Sequence, residues 1–271
     1  MDILYVSDLD GTLLNTREEI SPYSLKVLNE LIAKGMKFTY ATARSLSSAS
    51  KVTKGLSLHI PVIVYNGAFI READTGKVLY SVKFSREEQQ YASEFLEHAG
   101  IFPLVYTFRD GEEKVLWYPS RENEGIRRYL ISRKGDKRME PVKDGESIYQ
   151  GNMFYFTCIG EKGELTEAYN CLKKDKRFRV TLQQELYRPE YWLEIMPAQA
   201  SKAVAVCELK KIWNCEKIIS FGDAVNDIPM FQISDEAYAV ENAVEELKNY
   251  ATGIIPSNEN DGVAKFLRDK Y

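Results

Sequence analysis

The sequence predicts an α/β protein, a parallel-sheet core with an α+β domain inserted into it. Three observations carry this expectation. Short β-rich runs alternate with helical patterns as far as Ser81, the middle of the chain changes to long aromatic strands, and the alternation returns in the last quarter. A chain of 271 residues exceeds the ~100–200 of a typical single domain, which suits two domains better than one. With 44% hydrophobic and 28% charged residues it has the composition of a chain that buries a core, not of a disordered one.

Ile3-Leu4-Tyr5-Val6 reads as the first strand. Ser21 is an N-cap with Pro22 in the first helical turn, Leu25, Leu28 and Ile32 mark the buried stripe, and Gly35 stops the helix. Phe38-Thr39-Tyr40-Ala41 follows as a second strand, Ser45 to Lys54 as a helix, Val62-Ile63-Val64-Tyr65 as a third strand, and Asn66-Gly67 as a tight turn. Parallel strands joined by crossover helices are expected throughout this stretch.

From Phe84 to about Trp192 the order becomes α+β. Ser85 and Glu88 form an S-x-x-E capping box for a helix ending near Gly100, Asp110-Gly111 links two β-rich runs as a hairpin, and Met153-Phe154-Tyr155-Phe156-Thr157 is a long strand. After Pro197 come a helix from Ser201 to Trp213, a strand at Ile218-Ile219-Ser220-Phe221, and short strands around Ala239 and Ile254. The expected division is residues 1–82 with 194–271 as the core and 83–193 as the inserted domain.

A net charge of −4 offers no footprint for a nucleic acid, and the basic runs Arg133-Lys134, Lys137-Arg138 and Lys173-Lys174 read as solvated helix faces. No window approaches the ~18 apolar residues of a membrane span, and Met1-Asp2-Ile3-Leu4 opens no signal peptide, so a cytoplasmic protein without membrane contact is expected. Cys158, Cys171, Cys207 and Cys215 show no C-x-x-C spacing and read as reduced structural residues. His59 and His98 lack metal-ligand spacing, which disfavours zinc.

Chemistry is concentrated where strands end. In Asp8-Leu9-Asp10-Gly11-Thr12 two carboxylates lie two residues apart just beyond the first strand, at the edge where open α/β sheets bind ligands. Gly11 lets the chain turn so that Asp10 swings back, and acids this close need a divalent cation or a shared proton to relieve their repulsion. Asp8 suits a nucleophile that forms an aspartyl-phosphate, and Asp10 a general acid and base. D-x-D-G alone is equally compatible with a turn whose acids cap the next segment. A second acidic strand end, Gly222-Asp223-Ala224-Val225-Asn226-Asp227, weighs against that, because Asp223 there can offer a hard oxygen to a Mg²⁺ held by Asp8 and a backbone carbonyl at Asp10. Asn226 and Asp227 either orient a metal-bound water or hold Asp223 and a neighbouring lysine, or simply cap a helix. Thr42, ending the second strand, and Lys202, opening the helix after Ser201, are the donor and the cation that a phosphoryl group requires.

Taken in order, Asp8-Leu9-Asp10-Gly11-Thr12, Thr42, Lys202 and Gly222-Asp223-x-x-Asn226-Asp227 resemble the four motifs of haloacid dehalogenase superfamily phosphatases, and more narrowly the Cof-type sugar-phosphate phosphatases. The resemblance covers essentially the whole chain and extends to Asn66-Gly67-Ala68, Asn242-Ala243 and Asn260-Asp261-Gly262. It implies a Rossmann-like core and an α/β (C2B-type) cap that closes over the substrate. It also implies Asp8 as nucleophile, Asp10 as acid/base, Thr42, Lys202 and Asn226 as phosphate ligands, and Asp8, Asp10 and Asp223 as Mg²⁺ ligands. Ala43, Arg44, Asn66, Gly67 and Asp227 would support them. Ala43, Ala203 and Glu241 stand where the family often has glycine. The implied substrate is a small phosphorylated metabolite, the implied assembly a monomer or weak homodimer. Cap aromatics such as Tyr187, Tyr191 and Trp192 would either stack on a sugar or pack the cap's core. A phosphomutase using the same intermediate, or a phosphate-binding module without turnover, shares these motifs.

Overall fold

Local sequence sets the elements of the core in turn. The computed structural model describes residues 2–109, 111–184 and 189–271. The apolar run at the start forms β1 (Ile3–Ser7), followed by α1 (Pro22–Ala33), β2 (Lys37–Tyr40), α2 (Leu46–Val52) and β3 (Val62–Val64). Serine caps define both helix starts: Ser21 accepts from the Ser24 N–H and Ser45 from the Ser48 N–H, each cap contributing about 1 kcal/mol. Next come β4 (Phe69–Arg71) and β5 (Val78–Ser81). These two depart from the expected alternation: β3, β4 and β5 form an antiparallel three-stranded sheet, since the turns joining them are too short for a crossover helix.

The chain then builds a second compact unit from 82 to 199. Its elements are α3 (Arg86–His98), β6 (Leu104–Arg109), β7 (Glu112–Trp117), α4 (Glu124–Ser132), β8 (Met139–Pro141), β9 (Asn152–Gly160), α5 (Lys162–Leu172), β10 (Phe178–Gln184) and β11 (Tyr191–Pro197). The sheet order is β10-β11-β9-β6-β7-β8, antiparallel except for the β7–β8 edge. Val105, Phe156, Cys158, Leu193 and Ile195 share a buried cluster with Ala92 and Leu96 of α3 and with Leu165, Ala168 and Leu172 of α5. Phe84 joins it, stacked on Phe156 at 4.9 Å. The Ser85–Glu88 capping box is present as both of its hydrogen bonds. β6 and β7 pair as the Asp110-Gly111 hairpin requires, with Gly111 at φ 82°, while Asp110 itself lies outside the described residues. The unit ends at Gln199 rather than 193, because β11 is hydrogen-bonded on both sides, to β9 and to β10.

Residues 200–271 return to the first unit as α6 (Lys202–Ile212), β12 (Lys217–Gly222), α7 (Ile228–Gln232), β13 (Glu236–Val240), α8 (Glu245–Lys248), β14 (Gly253–Ile255) and α9 (Gly262–Lys270). The core sheet has the order β14-β13-β12-β1-β2, parallel throughout, and β3 touches it through a parallel bridge from Ile63 to Ala41. Strands buried on both faces, such as Leu4-Tyr5-Val6 and Ile218-Ile219-Ser220-Phe221, read as continuous apolar runs for this reason. β1 lies between β12 and β2, so the ends of the first and the twelfth strand are neighbours. No described helix is long and apolar enough to cross a membrane.

Candidate active site

The register of β1 and β12 sets Asp8 beside the Gly222-Asp223 turn. The Asp8 N–H donates to the Phe221 carbonyl at 3.0 Å, extending the ladder by one residue before both chains turn away. After Asp8, residues Leu9–Leu13 make a wide turn closed by Leu14 N–H on the Leu9 carbonyl at 2.8 Å. Gly11 is indispensable there: its φ is +79°, and a Cβ would lie 2.3 Å from Asp223 Oδ2.

Three carboxylates gather around one ammonium. Lys202 Nζ donates to Asp8 Oδ1 at 2.5 Å and to Asp227 Oδ1 at 2.7 Å, and Lys202 and Asp227 are wholly buried. Asp227 Oδ2 accepts from the backbone N–H of Asp223 and of Ala224, at 3.1 and 3.2 Å. Asp223 Oδ1 accepts from Thr12 Oγ1 at 2.8 Å, and the Asp223 carbonyl from Val244 N–H at 2.9 Å. Oxygens of Asp8, Asp223 and Asp227 all lie within 4.8 Å of one another.

The electrostatics follow from burying so many acids together. Burial pushes the Asp8 carboxyl well up, Lys202 draws it back down, and Asp227 and Asp223 repel it further upward. Burial alone would lower Lys202, but Asp227 and Asp8 outweigh it and hold the ammonium charged. Asp223 is pushed up to about 6 by burial and by Asp227, against the pull of Thr12 and Lys202. The cluster has one cation for three acids, all with hard oxygen donors. A divalent cation that prefers oxygen ligands fits that donor set and would offset the excess charge. Both histidines are exposed, and His98 bonds locally to the Glu94 carbonyl.

Asp10 is not part of the cluster. Its side chain is half exposed and receives a two-point fork from Arg44, Nε to Oδ2 at 2.8 Å and Nη2 to Oδ1 at 2.5 Å. Asp227, expected in support, supplies the third carboxylate of the cluster.

Thr42 is buried at the end of β2, its N–H on the Ile63 carbonyl at 3.0 Å and its Oγ1 accepting the Arg44 N–H at 3.1 Å. Ala43 is exposed and needs no glycine: left-handed backbone among described non-glycine residues occurs at Glu18, Tyr65, Asn66, Asn214 and Asp261. Tyr65-Asn66-Gly67 is a left-handed run packed on the start of α6. Asn66 N–H bonds the Thr42 carbonyl at 2.9 Å, and a Cβ on Gly67 would fall 2.1 Å from the Ser201 carbonyl. Ser201 caps α6 by accepting from Val204 N–H, which sets Lys202 in the first turn. Ala203 is half-buried in that turn, and Asn226 is half-buried on the short turn Val225–Asp227.

Two site residues escaped sequence reasoning as individuals. Thr12 was visible only as the last letter of its motif, and Asn242 only as part of a similar segment. Asn242 Nδ2 donates to the Gly11 carbonyl at 2.8 Å and its Oδ1 accepts from Asn258 N–H at 3.0 Å, bracing the Gly11 turn. Of the cap aromatics, Tyr187 lies outside the described residues, Tyr191 packs on the second unit's core, and Trp192 meets Tyr129 edge-on at 5.5 Å.

This arrangement has relatives. A family model for haloacid dehalogenase-like hydrolases matches residues 5–267, so the chain belongs to that family of enzymes. A Bacillus subtilis protein named 5-amino-6-(5-phospho-D-ribitylamino)uracil phosphatase YwtE is 29% identical over 96% of this chain and 95% of its own length. A second from the same organism, YitU, carries the same phosphatase name and is 24% identical over 99% of this chain and 97% of its own. An X-ray structure from Thermotoga maritima superposes with a TM-score of 0.79 at 26% identity, covering 100% of this chain and 98% of that one.

Proposed function

We propose that this hydrolase is a Mg²⁺-dependent phosphatase that cleaves small phosphomonoesters of sugars or sugar alcohols through an aspartyl-phosphate on Asp8. That the chain is a phosphatase rests on relatives of that name aligned along its whole length. The observation that carries the finer reading is the buried group of Asp8, Asp223 and Asp227 around the single charge of Lys202.

Asp8 is the nucleophile: Lys202 favours its ionised form against the upward push of burial, and as the carboxylate it attacks phosphorus and takes the phosphoryl group, while the ester oxygen departs. Asp10 gives that oxygen a proton and then removes one from the water that hydrolyses the acyl-phosphate, releasing phosphate and restoring Asp8. Thr42, Asn226, Lys202 and the N-terminus of α6 supply donors and positive charge to the phosphoryl oxygens. Asp8, Asp223 and the Asp10 backbone carbonyl would hold Mg²⁺, with Asp227 fixing Asp223 and Lys202. The ion supplies the positive charge that lets an anionic nucleophile meet an anionic phosphate. The second unit serves as the cap that selects substrates.

The test is phosphate release from a panel of hexose, pentose and ribityl phosphates, nucleotides and p-nitrophenyl phosphate, with Mg²⁺ or with EDTA and with Asp8→Asn as the blank. Release that needs Mg²⁺ and vanishes in the blank is expected. Consumption of a sugar phosphate without free phosphate would establish a phosphomutase instead, and activity surviving in Asp8→Asn would remove the nucleophile.

A further inference from the structure

Arg44 answers to two carboxylates at once. Besides its fork on Asp10, Nη2 donates to Glu18 Oε2 at 2.8 Å and Nη1 reaches Ser48 Oγ at 3.5 Å. Its main chain is fixed, the N–H on Thr42 Oγ1 and the carbonyl accepting Tyr65 N–H at 3.0 Å. The guanidinium is therefore anchored at the site, with side-chain exposure of only 18%, against 48% for Asp10 and 66% for Glu18.

Glu18 comes from a loop built to present it. Glu18 N–H donates to the Asn15 carbonyl at 2.9 Å, Asn15 N–H to the Glu19 carbonyl at 3.0 Å, and Asn15 Oδ1 accepts from Arg17 and Glu19 N–H at 2.9 and 3.2 Å. Thr16 N–H on Glu259 and Asn258 Nδ2 on the Leu14 carbonyl tie the loop to the C-terminal part of the same unit. Within it Glu18 adopts φ +58°, a left-handed conformation that disfavours a non-glycine residue by about 1–2 kcal/mol. Glycine would suit that backbone better but would leave Arg44 without this acceptor.

We propose that Glu18 is a positioning residue for the acid–base step, the second carboxylate on which Arg44 settles when Asp10 turns from it toward the leaving group. This rests on the reading of Asp10 as the acid/base. As the structure stands, the Asp10 carboxylate is committed to Arg44. Freeing it breaks the charge-assisted hydrogen bonds of the Arg44 fork. With Glu18 present the guanidinium keeps a carboxylate partner through that change. Without it Asp10 is the one carboxylate partner of Arg44 among the described residues, and its release becomes more costly.

The readout follows from leaving-group chemistry. An alkyl alkoxide needs a proton to depart, whereas p-nitrophenolate leaves without one, and kcat/KM reports events up to that departure. Glu18→Gln should lower kcat/KM about tenfold on the best alkyl phosphate of the panel, equivalent to ~1.4 kcal/mol of barrier, and leave p-nitrophenyl phosphate within about twofold. Glu18→Ala should repeat the pattern, and neither change should add to the loss in an Asp10→Asn background. Equal losses on both esters, no loss on either, or a full further loss in the Asp10→Asn background would overturn the role of Glu18. Should Asp10→Asn itself treat the two esters alike, the acid–base reading fails first and the positioning role falls with it.

Discussion

Lys202 is the residue on which the site's electrostatics turn. A lysine with no exposed surface is tolerated because Asp8 and Asp227 both accept from it, and removing one partner from such a buried pair typically costs about 3–5 kcal/mol. Asp223 shows what remains uncompensated: burial first, then Asp227, pushes its carboxyl up to about 6. Between the ordinary carboxylate range and about pH 6 the folded metal-free protein therefore holds a proton that the unfolded chain has already lost. That contribution to stability is fully present below the ordinary carboxylate range and is lost as pH rises through about 6. A cation must displace the same proton. Millimolar Mg²⁺ should accordingly raise Tm clearly at pH 7.5 and much less at pH 5, measured by thermal unfolding, and equal shifts would count against Asp223 as a ligand. Asp8, Asp223 and Lys202 were legible because each sits at a strand end or helix start within a short motif. The pairing of Asp10 with Arg44 was not, since nothing in the spacing of residues 10 and 44 says which way a half-exposed carboxylate turns.

Among elements, the left-handed run Tyr65-Asn66-Gly67 does the most to fix geometry. It joins β3 to β4, bonds back to Thr42 and Arg44, and lies against the first turn of α6. Gly67→Ala would set a methyl against the Ser201 carbonyl at a φ of +95°. We expect destabilisation of about 1–3 kcal/mol together with a fall in kcat, as the start of α6 and with it Lys202 is displaced, checked by denaturant unfolding and phosphate release. A variant as stable and as active as the parent would show that α6 does not depend on this contact. The turn could be read from Asn66-Gly67, and the helices from their serine caps and apolar stripes. The antiparallel course of β4 and β5 could not, because an apolar run of three or four residues looks the same whichever way it pairs.

At the scale of the whole molecule, each unit carries its own core, and the carboxylate cluster belongs to the first alone. Mg²⁺ should therefore slow amide hydrogen exchange in β1, β12 and the turns that follow them while leaving β6, β9 and β11 unchanged. Protection spreading evenly across 82–199 would contradict that separation. The two-domain order was visible in the switch from alternating to aromatic strands and back. The end of the inserted unit was misplaced because β11 belongs to it by hydrogen bonding, which sequence does not display.

The central place of β1 also orders events during synthesis. Asp8 is synthesised well ahead of its lysine, which follows 194 residues later, and Asp223 is 211 positions beyond the threonine that holds it. Until then β1 has only β2 beside it in the core sheet, and Asp8 lacks the ammonium that faces it in the finished fold. Residues 82–199, contiguous and already released, are free to fold first. The carboxylate cluster is therefore complete only once β12, and the turn after it, stand beside β1.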